Sequence, residues 1–310
     1  PAVSISIFLS NNESSMTIIA ILTLVHIKLW PRLDIYGRIL SYLRMELEGI
    51  LNKFAQGHLS IDEVQKQITI HSIEYVKNNL AQLDIGREIR KGVPEVIFAE
   101  GKEYRDIISI VLCAIKKKEK VIVSRIRRDE LSKLCKDLKK RKLNLDIGRQ
   151  STTILVSRSN HRPTKTGAKI GILTAGTSDI GVAEEARLIA NAMGCDAIFK
   201  YDVGIAGIHR LFSPLKEMIN ENVDAIVVVA GMEGALASIV SSIVDIPVIG
   251  VPTSIGYGFG SNGMGALASM LQSCTFGLAV VNIDNGIGAG AFAASIANRM
   301  ATKKKDTIRT

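Results

Sequence analysis

The chain has 310 residues, room for two domains of ordinary size, and 47% of them are apolar, which excludes wholesale disorder. Its formal charge of +9 is unevenly placed: from Ser151 onward 13 Lys and Arg face 12 Asp and Glu, whereas the first 150 residues hold 26 against 18. The four cysteines, Cys113, Cys135, Cys195 and Cys274, form no CxxC pair. That spacing argues against a zinc site or a disulfide framework and suits a reducing cytoplasm, the expected location.

Residues 1–44 differ from the rest. The apolar run Thr17–Ile27 is followed by Lys28 and is too short for a membrane span, which needs roughly 20 apolar residues. No basic leader region or small-residue cleavage site accompanies it. The segment is expected to be an extension, disordered or not physiological, with Met45 as the start. From there the pattern turns helical: Leu47, Ile50, Leu51 and Phe54 recur on one face, and Ser60 with Glu63 forms a capping-box signature before the next helix. Gly92 and Pro94 break the chain ahead of a short strand at Val96–Ala99. A helix at Tyr104–Ile115, a strand at Val121–Ser124 and a basic helix follow. Residues 45–150 thus read as a small basic α/β domain. Its cations, in Lys116–Lys120, Arg125–Arg128 and Lys136–Lys142, lie among few aromatics and fit solvated helix faces, so no nucleic-acid partner is expected. Residues 151–168 read as a linker, because Ser157–Gly167 is polar and contains Pro163 and Gly167.

After the linker the chain becomes regular. Apolar runs at Ile170–Leu173, Ala197–Tyr201 (broken by Lys200), Ala225–Val229, Val248–Val251 and Leu278–Val281 alternate with segments of helical length. Such strands are covered on both faces, and right-handed crossovers then make residues 169–310 a three-layer αβα sandwich around a parallel, flavodoxin- or Rossmann-like sheet. Ligands bind outside the carboxyl ends of the strands in such folds. Here those ends are rich in glycine and small polar residues.

The first such turn holds Gly176, Thr177, Ser178 and Asp179. Gly176 permits close backbone approach, and Ser178 or Asp179 can cap a helix whose N-terminus attracts phosphate. A negative Asp179 repels phosphate, so a hydroxyl or base contact suits it better. The second turn runs from Asp202 to His209 and Arg210, a cationic pair suited to phosphate or carboxylate. The third holds Gly231, Met232 and Glu233; the glutamate is either a first-turn helix acid or a general base. The fourth, with Thr253, Ser254, Gly256, Tyr257 and Gly258, is glycine-rich enough for a ligand-wrapping loop. It leads through a helix to Cys274, which its spacing alone does not distinguish from buried filler.

Taken in order, LTAGTSDIGVAEEA, YDVGIAGIHR, VVVAGMEGALASIV, DIPVIGVPTSIGYGFG, QSC and VVNIDNGIGA resemble the LarB family, the carboxylase/hydrolases of nickel-pincer cofactor biosynthesis. More distantly the domain is similar to the aminoimidazole ribonucleotide carboxylases and mutases of purine synthesis. The likeness spans about Lys165 to Arg299. DIGREIRKGVPEVIFAEGK extends it toward Met45.

The resemblance implies that nicotinic acid adenine dinucleotide is carboxylated on its pyridinium ring by carbon dioxide or bicarbonate and cleaved at its phosphoanhydride. The products would be pyridinium-3,5-biscarboxylic acid mononucleotide and AMP. It implies Cys274 as the nucleophile, Glu233 and Asp179 as its catalytic partners, and the four turns as the substrate site. No organic cofactor is implied. A magnesium ion at the pyrophosphate is allowed for, without a clear ligand set. Homo-oligomers, octamers in the purine relatives, are implied, with Gly288–Ala291 of the last helix between subunits, and no membrane partner. The alternatives are a purine-type carboxylase or mutase, which needs no cysteine, and a non-catalytic nucleotide-binding regulator. The purine relatives keep a histidine, as AAHLPGM, where this chain has Gly231-Met232-Glu233-Gly234.

Overall fold

The computed structural model describes residues 47–68, 73–76, 80–84, 86–161 and 164–309. The 1–44 extension and the start at Met45 lie outside them. The chain divides into two compact units, 1–68 and 69–310. The described part of the first is two short helices, α1 (47–55) and α2 (Ile61–Ile68). The capping box at their junction is formed: the Ser60 amide donates to Glu63 at 2.8 Å and the Glu63 amide donates back to Ser60 Oγ at 3.3 Å. These helices therefore belong to a different compact unit from the rest of the domain to which the sequence assigned them.

The second unit opens with an antiparallel pair, β1 (Ile73–Tyr75) and β2 (Gln82–Asp84), and a short helix α3 (Arg87–Lys91). Then come β3 (Val96–Phe98), α4 (Tyr104–Lys117), β4 (Lys120–Ser124), α5 (Arg128–Lys140), β5 (Leu143–Ile147) and β6 (Ile154–Arg158). They form a four-stranded sheet in the order β3-β4-β6-β5, with β6 antiparallel to both neighbours. This corrects the 151–168 linker. Ile154 and Val156 are fully buried while Ser157 and Arg158 reach the surface. Leu155 packs on the opposite face, so the strand is apolar on both sides for only three residues before its polar end.

The remainder is the expected parallel sheet. Strands β7 (Lys169–Thr174), β8 (Asp196–Lys200), β9 (Ala225–Ala230), β10 (Val248–Pro252) and β11 (Leu278–Val280) pair in the order β11-β10-β9-β7-β8, every pair parallel. Between them run α6 (Ile180–Ala192), α7 (His209–Asn220), α8 (Ala235–Ile243) and α9 (Met264–Leu271), and α10 (Gly286–Arg309) follows. The chain moves from β7 outward to β8, then returns across β7 to β9. With right-handed crossovers this reversal puts α6 and α10 on one face and α7, α8 and α9 on the other. The core agrees. Val227 and Val229 of β9 pack with α6 and α10, while Ile226 and Val228 pack with Leu211, Leu215 and Val240 of α7 and α8. Each such side chain, fully buried, contributes roughly 1.5–3 kcal/mol.

Two close approaches bind the layers. A Cβ on Gly290 would lie 2.5 Å from the Ala186 carbonyl, so α10 meets α6 backbone to backbone. Ala289 is fully buried there. Ala289 and Gly290 are thus used inside the chain. On its other side α6 meets the four-stranded sheet through charge. Arg187 forks onto both Asp146 oxygens at 2.9 and 3.0 Å and onto Glu184 at 2.9 Å. Glu184 also accepts from Tyr201 and from the Arg149 amide. Burial pushes the Glu184 carboxyl up, but these donors outweigh it and hold the group below the usual range. Neighbouring Glu185 accepts from Thr153 at 2.9 Å and Ser124 at 3.3 Å; there burial wins and its pKa is raised.

Candidate active site

The carboxyl edge of the parallel sheet opens at the reversal between β7 and β9 into a pocket of about 340 Å³. Of the residues expected there, Gly176, Ser178, Asp179, Asp202, Arg210, Gly231, Met232 and Glu233 line it. The turns that carry them nest tightly. A Cβ on Gly231 would stand 2.2 Å from the Ile255 carbonyl and 2.7 Å from Thr253 Oγ1, and one on Gly204 2.5 Å from the Ala175 carbonyl. The Met232 amide donates to that Ile255 carbonyl at 3.0 Å. Two non-glycine lining residues, Asp202 (φ 60°) and Met232 (φ 54°), sit in the left-handed region, a strain that surrounding structure must hold.

Asp179 is the hub of this edge. It is buried, with one oxygen accepting from Thr253 Oγ1 at 2.7 Å and the other from the Gly176 amide at 2.8 Å. Burial raises its pKa; the bonds from Thr253, Gly176 and Gly231 oppose the rise without cancelling it. With both oxygens engaged, Asp179 ties three turns together rather than offering a free carboxylate to a ligand. Thr253, fully buried behind it, belongs to the same tie and not to the pocket lining.

Arg210 is paired with Asp202 at 2.7 Å, and its guanidinium also reaches the Gly207 carbonyl. Glu233 stands exposed at the mouth, with no ion pair among the described residues. His209, Thr177, Ser254, Gly256, Tyr257 and Gly258 are exposed and lie outside the lining. The Ser254 amide is held by Asp284 at 2.8 Å. Sequence reasoning passed over Gly204, Ile205 and Ile255, which line the pocket within motifs it had already quoted. Their signal was position beside a chosen residue, since an apolar wall carries no chemical mark. Among the described residues, no group of three or more His, Cys, Asp or Glu is placed to hold a metal ion. The pocket's acids show why: Asp179 is saturated, Asp202 is bound by Arg210, and Glu233 is alone. They do not fit a magnesium site by themselves.

Cys274 is exposed and lies at the other edge of the sheet. Its segment is anchored at the amino ends of the strands: Ser241, near the end of α8, donates to the Phe276 carbonyl, and the Val248 amide at the start of β10 donates to the Gly277 carbonyl. The five residues of β10 separate these edges by roughly 15 Å. The structure therefore does not bring Cys274 together with Glu233 and Asp179 of the same chain. A larger cleft, about 430 Å³, lies between α6 and the four-stranded sheet. Its cations are engaged already, Lys165 with Asp196 and Lys120 with Glu88.

A doubly wound α/β domain with a nested, acid-tied pocket at its switch point is the class that fold and site define. The AIR carboxylase model matches residues 169–310, and a LarB/PurE-like N-terminal domain model matches 75–163. The N5-carboxyaminoimidazole ribonucleotide mutase of Thermotoga maritima is 32% identical over 133 residues, covering 41% of this chain and 74% of that protein. The mutase of the same name from Methanocaldococcus jannaschii is 30% identical over 129 residues, 41% of this chain and 77% of that one. An uncharacterized protein of Methanocaldococcus jannaschii is 48% identical over 257 residues, 82% of this chain and 98% of its own length. The chain belongs to the LarB/PurE-like family, an N-terminal domain joined to an AIR carboxylase domain. The second match spans β6, in keeping with the corrected domain boundary. No helix among the described residues is long and apolar enough to cross a membrane.

Proposed function

We propose that the protein carboxylates the pyridinium ring of nicotinic acid adenine dinucleotide and hydrolyses its phosphoanhydride, giving pyridinium-3,5-biscarboxylic acid mononucleotide and AMP. The observation that carries this reading is Glu233, a carboxylate free of ion pairs at the mouth of a carboxylase-family pocket. The resemblance puts a histidine at this turn in the purine enzymes. The match of the N-terminal domain model to residues 75–163 supports the same reading.

A pyridinium ring is electron-poor, so its carbons do not attack carbon dioxide. Addition of the Cys274 thiolate forms a C–S bond and sends an electron pair to the ring nitrogen, leaving a neutral enamine. The enamine carbon attacks carbon dioxide; a C–C bond forms, and one C=O pair moves to oxygen as carboxylate. Glu233 takes the proton from that carbon, the C–S bond breaks, and the thiolate leaves as aromaticity returns. Separately, water adds to a phosphorus and the P–O–P bond breaks, releasing AMP. Arg210, swinging from Asp202, would meet a phosphate or the ring carboxylate. Asp179 holds the turns in place. Because Cys274 and the pocket occupy opposite edges of one chain, the attacking thiolate belongs to a different copy.

The test is incubation with nicotinic acid adenine dinucleotide and bicarbonate, followed by mass spectrometry. AMP and the biscarboxylated mononucleotide are expected, and neither with Cys274→Ala. Absence of product with the wild type removes this substrate. Turnover of carboxyaminoimidazole ribonucleotide instead would favour the chemistry named for the two mutases. Product from Cys274→Ala would remove the covalent step.

A further inference from the structure

The pocket at the carboxyl edge is short of two things that a dinucleotide needs. At about 340 Å³ it lies near the bottom of the roughly 300–1,000 Å³ that enclose drug-sized ligands, and a dinucleotide is larger than those. Among the described residues that line it, Arg210 is the one cation, against Asp179, Asp202 and Glu233. One guanidinium forks onto one phosphate, so a pyrophosphate leaves its second charge unmatched. Strand order also sets a direction. Glu233 follows β9, Ser178 follows β7, and Arg210 follows the turn after β8, the strand at the edge of the sheet. A ring held at Glu233 with its phosphate at Arg210 therefore points the other nucleotide past β8.

What stands there belongs to the domain of the four-stranded sheet. The turn between β5 and β6 closes through the Ser151 amide, which donates to the Gly148 carbonyl at 3.1 Å. It is set down on the start of α6: a Cβ on Gly181 would lie 2.8 Å from the Gln150 carbonyl, and one on buried Gly148 3.2 Å from Glu184 Cβ. Gly181 is only three residues past Ser178 of the pocket, less than one helical turn. Gln150 holds a left-handed φ of 55°, and the Arg149 amide is fixed to Glu184 at 2.9 Å. The Arg149 side chain, by contrast, is exposed and makes no ion pair among the described residues. Its charge reaches the Tyr201 hydroxyl: burial and the bond to Glu184 raise that pKa, and Arg187 and Arg149 oppose the rise. Tyr201 directly precedes Asp202 of the pocket. The neighbouring cations are already engaged, Arg187 with Asp146 and Glu184, Arg125 with Glu100 and Arg127 with Asp129.

We infer that Arg149, carried on the β5–β6 turn at the start of α6, binds the phosphate of the adenylate half of the dinucleotide, so that the substrate site spans both domains. The inference rests on the dinucleotide reading above and supplies the cation that the pocket lacks. A guanidinium on a fixed backbone suits this task. The turn is already ordered, so binding freezes only the side chain, and no acid has to be displaced first, whereas Arg210 must leave Asp202. After the P–O–P bond is cleaved, the mononucleotide stays with Arg210 and AMP with Arg149. Arg149 meets the leaving half and not the reacting ring, so it selects a dinucleotide over a mononucleotide without taking part in carboxylation. A merely solvated arginine would be indifferent to which of the two is bound.

The experiment titrates AMP into the full chain by calorimetry, in the presence of excess nicotinic acid mononucleotide to occupy Arg210. AMP is expected to bind, and Arg149→Ala to weaken it about 10-fold or more, the loss of one charge-assisted contact. Arg149→Lys should recover part of that loss. The melting temperature and the affinity for the mononucleotide alone should not change in either variant, because the Arg149 amide and its bond to Glu184 remain. In turnover of the dinucleotide, Arg149→Ala should raise KM about 10-fold and leave kcat nearly as it is, the mark of binding shared by ground and transition states. No binding of AMP by the wild type, or equal binding by Arg149→Ala, overturns the inference. A parallel fall in mononucleotide affinity means that the turn only supports the fold, and overturns it too. AMP bound through Arg149 without turnover of the dinucleotide would remove the pyridinium reaction and leave the adenylate contact standing; turnover with a KM indifferent to Arg149 would do the opposite.

Discussion

The two edges of the parallel sheet are built on opposite principles. At the carboxyl edge, glycine-rich turns close over a buried carboxylate: Asp179 binds the Gly176 amide and Thr253, and Gly231 leaves no room for a side chain. At the amino edge, Cys274 and Phe276 stand in the open on a short connection. At the first edge the polar groups answer one another inside the chain. The second displays the Cys274 thiol, while exposed aromatic groups stand at both edges, Phe276 here and Tyr257 and Phe259 on the loop after β10. Under the proposed function, binding and positioning belong to one edge and the nucleophile to the other.

That contrast can be broken by substitution, because stability should depend on the first edge and hardly on the second. Gly231→Ala should have the largest effect. Its methyl meets the Ile255 carbonyl and Thr253, and a loss of about 2–3 kcal/mol is expected in denaturant unfolding, with loss of ligand binding. Thr253→Val should come next, at about 1–3 kcal/mol, since it leaves an Asp179 oxygen buried without its donor.

Asp179 sharpens the comparison through pH. Its carboxyl is raised in the folded chain, chiefly by burial. Such a group adds nothing below the unfolded value. It lowers stability as pH rises from that value through the folded one, and the loss persists above. Asp179→Asn should flatten this fall, read as a smaller difference in unfolding free energy between about pH 4 and about pH 7. An unchanged slope would show that the carboxylate does not govern this edge. Cys274→Ser should have the smallest effect on stability, within about 0.5 kcal/mol, because the side chain is exposed. A large shift in melting temperature for this variant would mean that the thiol is part of a packed surface inside the chain.

What could be read without coordinates followed from repetition. The runs at β7, β9 and β10 are apolar on both faces and announced themselves as buried strands, the edge strands β8 and β11 kept the same spacing, and the glycine-rich turns after them marked the ligand edge. Strand β6 did not announce itself, because Ser157 and Arg158 give its end a polar look and its buried residues, Ile154 and Val156, matter only against β4 and β5. Likewise Asp179 reads equally well as a catalytic acid or a helix cap. Only Thr253, distant in the chain and adjacent in space, makes it a tie. The resemblance drew attention to Cys274, but the edge it occupies follows from strand direction.

The sequence by itself therefore determined the sheet, its ligand edge and the residue types available for chemistry, since periodicity and glycine are local properties of a chain. Only the tertiary structure decided which groups stand together, which acid is already spent on holding turns, and that Cys274 lies a full strand away from Glu233 of its own chain. Those are consequences of where strands begin and end in space, and no local pattern records them.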